Sequence, residues 1–264
     1  MKFSFMSFSC PDLSLEAMLS LAKRLGYDGV EPRVEAKHAH GIELGLDAAG
    51  RAAARTLAAS KGVDYACLAT SCRYADPATR AAMVASTLGY IDLAADIGCP
   101  RLRVFGGPLP EGLSREAATA GVTEALRAVA DQAERRGVTV CLETHDHWCN
   151  PADVAELMRR VDRPGIQVNW DIMHPVRVAQ VSMQEAFDTL RPWIRHVHAH
   201  DGTTRDGKLV LVPIGEGVVD HALALRLLRE MGWDGFVSGE WIGWEPYETH
   251  LPRELAALRR CAGC

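Results

Sequence analysis

Glu143, Asp171, His198 and Glu240 are the residues whose types and placement best suit catalysis, because each closes a short apolar run. The runs are 138–142, 166–170, 194–197 and 236–239. A charged group at the end of so apolar a segment is costly to desolvate unless something pairs with it. Three carboxylates find an economical partner in a divalent cation. The mixed oxygen and imidazole set suits Mn²⁺, Mg²⁺, Co²⁺ or Zn²⁺, with open positions for substrate oxygens. Any one of these acids could instead cap a helix or pair with an arginine. Their recurrence in four consecutive runs is what points to one metal centre.

The elements that must carry these residues announce themselves by a repeated phrase: an amphipathic segment ends in glycine, and a short β-rich run follows. The glycines are Gly26, Gly62, Gly98, Gly137, Gly165 and Gly232. With the first run and 194–200 added, eight strands are expected near 2–8, 28–32, 63–69, 101–106, 138–143, 166–171, 194–200 and 235–241. Ser14, Asp47, Ser114 and Ser182 occupy N-cap positions, and 15–25, 92–97 and 222–231 show helical apolar spacing. Strict alternation of strand and helix, with no Gly/Ser/Pro-rich linker, predicts a parallel sheet in one domain over 1–264. Eight units close into a single (β/α)8 barrel. An open doubly wound sheet would more often carry a phosphate-cradling GxGxxG after its first strand, where this chain has Ser7-Phe8-Ser9-Cys10-Pro11.

In such a barrel the functional groups sit at the C-terminal ends of the strands. His145 and His147 follow Glu143 in the fifth loop, and His145 could touch substrate. Glu31 closes the second strand, where it would hydrogen-bond substrate hydroxyls or pair with Arg33 or Arg103. Trp148, Trp241 and Trp244 would stack on the apolar face of a substrate or roof the barrel. Arg205 and Lys208, in the seventh loop, would meet a phosphate or carboxylate, or be solvated. His38 and His40 read as lid or solvated residues, and His221 and His250 as structural.

The bulk properties are those of an ordinary soluble globular protein. The chain has 264 residues, 48% hydrophobic and 24% charged, enough for a sizeable core. A net charge of −5 gives no general attraction to nucleic acid or anionic membrane. The first ten residues lack a signal-peptide core and no apolar run spans a bilayer, so the expected location is cytoplasmic. The eight cysteines are then expected to be mostly free thiols, and the Cys261-Cys264 pair to be part of a frayed tail.

The phrases VCLETH (140–145), NWDIMHP (169–175), IRHVHAHDG (194–202) and GFVSGEW (235–241) are the most specific in the chain. Through them the sequence resembles the xylose-isomerase-like barrels, in particular the sugar phosphate isomerase/epimerase group with its ketohexose 3-epimerases and inosose dehydratases. The resemblance implies that Glu143, Asp171, His198 and Glu240 hold one metal ion and that His174 contacts substrate. It favours His198 over His196, because a hydrophobe, a polar residue and Asp201 follow it. Its implied chemistry is proton abstraction beside a carbonyl, with Glu143 and Glu240 as base and acid and an enediolate between. Epimerisation or isomerisation of a small sugar or polyol-derived compound follows, or dehydration as the alternative. Two departures stand out: His200 replaces a frequent lysine, and Cys149 replaces a glutamate of the ketohexose 3-epimerases. A substrate unlike a free ketohexose is compatible with both. An apurinic endonuclease would need histidines where Leu68-Ala69-Thr70 and Val104-Phe105-Gly106 stand, and a basic face. A binding barrel without catalysis is the remaining rival. The only expected protein partners are further copies of the chain, as a dimer or tetramer.

Overall fold

A computed structural model describes residues 1–263. Its strands in chain order are β1 (Lys2–Met6), β2 (Gly29–Glu31), β3 (Asp64–Tyr65), β4 (Leu68–Arg73), β5 (Arg101–Phe105), β6 (Thr139–Glu143), β7 (Ile166–Asp171), β8 (Ile194–Ala199), β9 (Asp201–Arg205), β10 (Lys208–Val212) and β11 (Phe236–Gly239). The helices are α1 (Leu15–Leu25), α2 (Ala48–Lys61), α3 (Arg80–Ile97), α4 (Arg115–Arg136), α5 (Pro151–Val161), α6 (Met173–Arg177), α7 (Met183–Leu190), α8 (His221–Glu230) and α9 (Tyr247–Ala262).

Nine strands form one parallel sheet in the order β3-β2-β1-β11-β8-β7-β6-β5-β4. The two ends of that order are consecutive in the chain. β3 pairs with β2 and β4 pairs with β5, so together they make a single broken stave. A parallel bridge between Arg33 and Ala69, with Val34 N–H donating to Ala69 O at 3.0 Å, closes the ring. The architecture is therefore a single (β/α)8 barrel, as the alternation of elements predicts.

All four expected N-caps form: Ser14, Asp47, Ser114 and Ser182 each accept a backbone N–H from their own first turn. Gly26, Gly62, Gly98 and Gly137 are left-handed C-caps. Gly165 is not one. Asp162 caps α5 instead, and the close approach of Glu134 Cγ explains the glycine, since a Cβ at 165 would lie 2.8 Å from it. Gly232 follows the cap of α8, which falls on Met231.

Side-chain alternation along the strands sorts the core. Trp170 and Val168 face outward, where the Trp170 ring meets Phe187 of α7 at 5.9 Å. Glu31, Arg103, Glu143, Asp171, His196 and His198 face the barrel interior and are buried. The seven described cysteines are free thiols, and the expected tail pair runs into residue 264, outside the described residues. Among the described residues no helix is long and apolar enough to cross a membrane.

The seventh loop departs from expectation. It is a β-hairpin of β9 and β10, not an irregular segment. Its two-residue turn, Asp206-Gly207, has positive φ at both positions (51° and 73°), the geometry that a tight hairpin with right-handed strand twist requires.

Candidate metal centre

Register brings the four expected ligands to one level. Asp171 pairs with His198 across β7 and β8, Glu143 ends β6, and Glu240 follows β11 with its N–H donating to Ala199 O at 3.3 Å. One donor atom from each of the four lies within 4.8 Å of the others. His198 Nδ1 is 3.6 Å from Glu143 Oε1 and 3.4 Å from Glu240 Oε2. Glu143 Oε1 and His198 Nδ1 are buried and make no hydrogen bond, and the buried Asp171 Oδ2 meets the His200 ring at 2.9 Å. Buried charged atoms are rarely left so. Three carboxylates and an imidazole converging with unspent lone pairs fit a divalent cation.

Three of the four donors are held from behind. Thr144 Oγ1 donates to Asp171 O and accepts its N–H, while Asp171 Oδ1 accepts the N–H groups of Met173 and His174, leaving Oδ2 to face inward. Arg103 Nε sits 3.1 Å from Glu143 Oε2, and Arg103 donates to Thr70 O while its guanidinium lies 4.1 Å over the Phe105 ring. On the far side of His198, Nε2 is 3.0 Å from Glu31 Oε1, and His196 Nε2 is 2.8 Å from Glu31 Oε2. Glu31 thereby fixes the imidazole so that Nδ1 points at the other three donors, the carboxylate–histidine arrangement common behind metal ligands.

Electrostatics follows this packing. Burial pushes the Glu31 carboxyl up, but His198 and His196 hold it well below the usual carboxylate range. Burial opposes charge on His198, yet Glu31, Glu143 and Glu240 raise its basicity well above that of free histidine. Glu240 is held at about 2, with burial overcome mainly by His198. Asp171 is likewise depressed, burial being outweighed by His200 and His174. A cation on these ligands would take the place of the His198 proton.

Above the cluster is a cavity of about 230 Å³ lined by His145, His174, His200, Leu209, Leu211, Glu240 and Ile242. The His145 ring meets His174 edge to face at 4.6 Å, and His174 is 5.6 Å from His200, whose Nε2 is 2.9 Å from Asp171 Oδ2. Asp146 lies 3.0 Å from His145 Nδ1 and, against the effect of burial, raises that imidazole to about 9.

Three expected substrate contacts are not at this cavity. Trp241 is 1% exposed, because it alternates with the inward-facing Glu240 and so points outward. Its ring fills the room left by Gly239 and packs 5.1 Å from His250 of α9. Glu31 is fully buried and pairs with the two histidines instead of Arg33 or Arg103. Arg205 stands beside the hairpin turn, paired in register with Lys208 and exposed. Trp148, also buried, donates from Nε1 to Gly107 O, and Trp244 lies against Arg253 and His250. His200 and the leucines of β10 were not singled out as contacts from the sequence. The parity of His196, His198 and His200 along one strand, and the Asp-Gly turn, are the signals that could have found them.

A closed (β/α)8 ring with acids and histidines gathered at its C-terminal mouth defines a barrel of the enzyme-bearing kind. The chain belongs to the xylose isomerase-like TIM barrel family, whose model matches residues 19–261. It is 26% identical over 234 residues to an L-ribulose-5-phosphate 3-epimerase of Salmonella paratyphi B, covering 82% of this chain and 78% of that one. It is also 26% identical over 135 residues to a 3-dehydroshikimate dehydratase of Bacillus anthracis, covering 45% of this chain and 47% of the other. The chain thus spans about half the length of some curated relatives it matches. Among solved structures, a D-psicose 3-epimerase superposes with a TM-score of 0.82 at 19% identity over 100% of both chains. A Mycobacterium smegmatis barrel in complex with magnesium gives 0.77 at 16% identity, over 99% of this chain and 97% of that one.

Proposed function

We propose that the protein is a divalent-metal-dependent isomerase or epimerase of a small keto-sugar or polyol-derived compound. The observation that carries this reading is the convergence of Glu143, Asp171, His198 and Glu240, with Glu143 Oε1 and His198 Nδ1 making no hydrogen bond, beside a small cavity that Glu240 borders. A cation on those four would draw electron density from a substrate carbonyl and a neighbouring hydroxyl. Glu240 is the one of the four that borders the cavity, so it is the group placed to take the proton from the carbon beside the carbonyl. The enediolate so formed is reprotonated by Glu240, or on its other face by Glu143, which must then enter the cycle protonated and leave it as the carboxylate while Glu240 passes the abstracted proton to solvent. His145, His174 and His200 hydrogen-bond the substrate's remaining oxygens.

Return of the proton to the adjacent carbon isomerises the substrate; return to the same carbon on the opposite face epimerises it. A dehydratase reading shares the first step and then expels a β-hydroxyl. The similarity to a 3-dehydroshikimate dehydratase supports keeping it. Incubating the Mn²⁺-loaded protein in D₂O with a panel of ketoses and cyclic keto-polyols, read by NMR, tests the reading. Deuterium beside the carbonyl is expected in isomerase or epimerase chemistry, and an unsaturated product marks the dehydratase. Mn²⁺-loaded protein that exchanges no such hydrogen in any compound would sink the reading.

A further inference from the structure

The cavity has two unlike walls. His145, His174, His200 and Glu240 make a polar one; Leu209 and Leu211 of β10, with Ile242 after β11, make an aliphatic one. No lysine or arginine is among the lining residues, and the cations of the hairpin, Arg205 and Lys208, flank its exposed turn.

The aliphatic wall is built in. The fully buried Asp201 accepts four backbone N–H groups: Gly202 (2.9 Å) and Val219 (3.2 Å) on Oδ1, Gly215 (2.9 Å) and Gly217 (3.0 Å) on Oδ2. One carboxylate thus ties the start of the hairpin to the chain that follows it. Leu211 faces Gly202 across the ladder, and a Cβ on Gly202 would come 2.5 Å from Leu209 Cδ1 and 3.4 Å from Met173 Sδ. The absent side chain is what lets Leu209 lie over β9 toward the mouth. Ile242, 56% exposed, extends the same aliphatic side of the cavity to its rim.

Resting on the reading of this cavity as the substrate site, we propose that the hairpin selects an unphosphorylated keto-polyol of monosaccharide size with a deoxygenated edge. At about 230 Å³ the space is below the roughly 300–1,000 Å³ of drug-sized sites, which limits the occupant to one small ring or short chain. The histidine wall and Glu240 take the oxygenated reacting end. A hydroxyl turned to Leu209, Leu211 and Ile242 would lose its water without gaining a partner, whereas a CH₂ or CH₃ gains contact. A phosphate turned to that wall would meet none of the polar side chains of the cavity, which lie on the histidine wall.

The test uses matched ligands on the Mn²⁺-loaded protein: D-fructose, 6-deoxy-D-fructose and D-fructose 6-phosphate, followed by calorimetry and saturation-transfer NMR. The deoxy compound should bind about 10–100-fold tighter than D-fructose, with the phosphate ester weakest. In Leu209→Ser/Leu211→Ser that ratio should fall toward one while Mn²⁺ affinity stays at the wild-type value. Ile242→Ser, at an exposed position, gives the same readout should the double variant misfold. Equal or tighter binding of D-fructose or its phosphate, no binding of any of the three, or a ratio unmoved by the variants overturns the proposal. Loss of Mn²⁺ binding in the wild type would instead overturn the metal-centre reading beneath it.

Discussion

At the scale of single residues, the account turns on which side chains touch the reacting space and which hold others. Glu31 belongs to the second group. Its carboxylate spans His196 and His198, so Glu31→Gln should weaken Mn²⁺ binding by about 10–100-fold, measured by titration, while the far-ultraviolet spectrum stays that of wild type. Unchanged affinity would remove Glu31 from the centre. His40 supplies a pH prediction away from the metal. Its Nδ1 accepts the Ile42 N–H at 3.0 Å and its Nε2 faces Arg33 O at 3.2 Å, which requires the neutral ring, and burial holds its basicity down to about 4. The unfolded chain, with an ordinary histidine near 6.5, takes up the proton first as pH falls. Stability conferred by the neutral ring is therefore complete above about 6.5 and lost progressively toward about 4. Urea unfolding at pH 7 and pH 5 should show a smaller drop in His40→Gln than in wild type; an identical drop would contradict it. That Glu143, Asp171, His198 and Glu240 share one end of the barrel was legible in the sequence because each member ends an apolar run. Glu31's partners were not, because they lie more than a hundred residues away, across a closed ring whose curvature no local pattern encodes. Trp241 was misplaced by treating neighbours of a ligand as cavity residues, although in a strand the neighbour faces the other way.

At the scale of elements, caps and turns carried most of the readable information. Serine N-caps and glycine C-caps mark where helices start and stop, and the apolar run after each glycine is a strand. Ser182→Ala should cost about 1 kcal/mol, seen as a lower denaturant midpoint, since Ser182 Oγ accepts the Glu185 N–H at the start of α7. The hairpin was the main miss. Its Asp206-Gly207 turn was visible, but alternation in 208–212 is blurred because Leu, Val, Leu and Val face both sides of a ribbon covered only in part. Asp201→Ala removes the acceptor of four N–H groups. Amide exchange at Gly202, Gly215, Gly217 and Val219 should accelerate selectively, with the barrel strands unaffected. Uniform acceleration through the sheet would mean that Asp201 supports the whole barrel and not the hairpin alone.

At the scale of the whole molecule, eight staves close because the third divides, β3 holding β2 and β4 holding β5, with the Arg33–Ala69 bridge between. The stave count was readable from the repeated phrase. The split was not, since it answers to ring closure and leaves no mark in composition. Closure gathers four acids and histidines from strands β6, β7, β8 and β11 into one mouth, so a cation bound there stabilises the fold as well as the site. The stabilisation expected at free Mn²⁺ about 100 times its Kd is about 2.7 kcal/mol.

The most direct test is elemental analysis of purified, Mn²⁺-reconstituted wild type beside Glu240→Gln and His198→Ala, with folding of each checked by circular dichroism. The account predicts about one divalent ion per wild-type chain, and clear loss of it from both variants while their helical content is kept. Wild type that takes up no divalent ion, or variants that retain it at the wild-type level, would contradict the metal centre at Glu143, Asp171, His198 and Glu240.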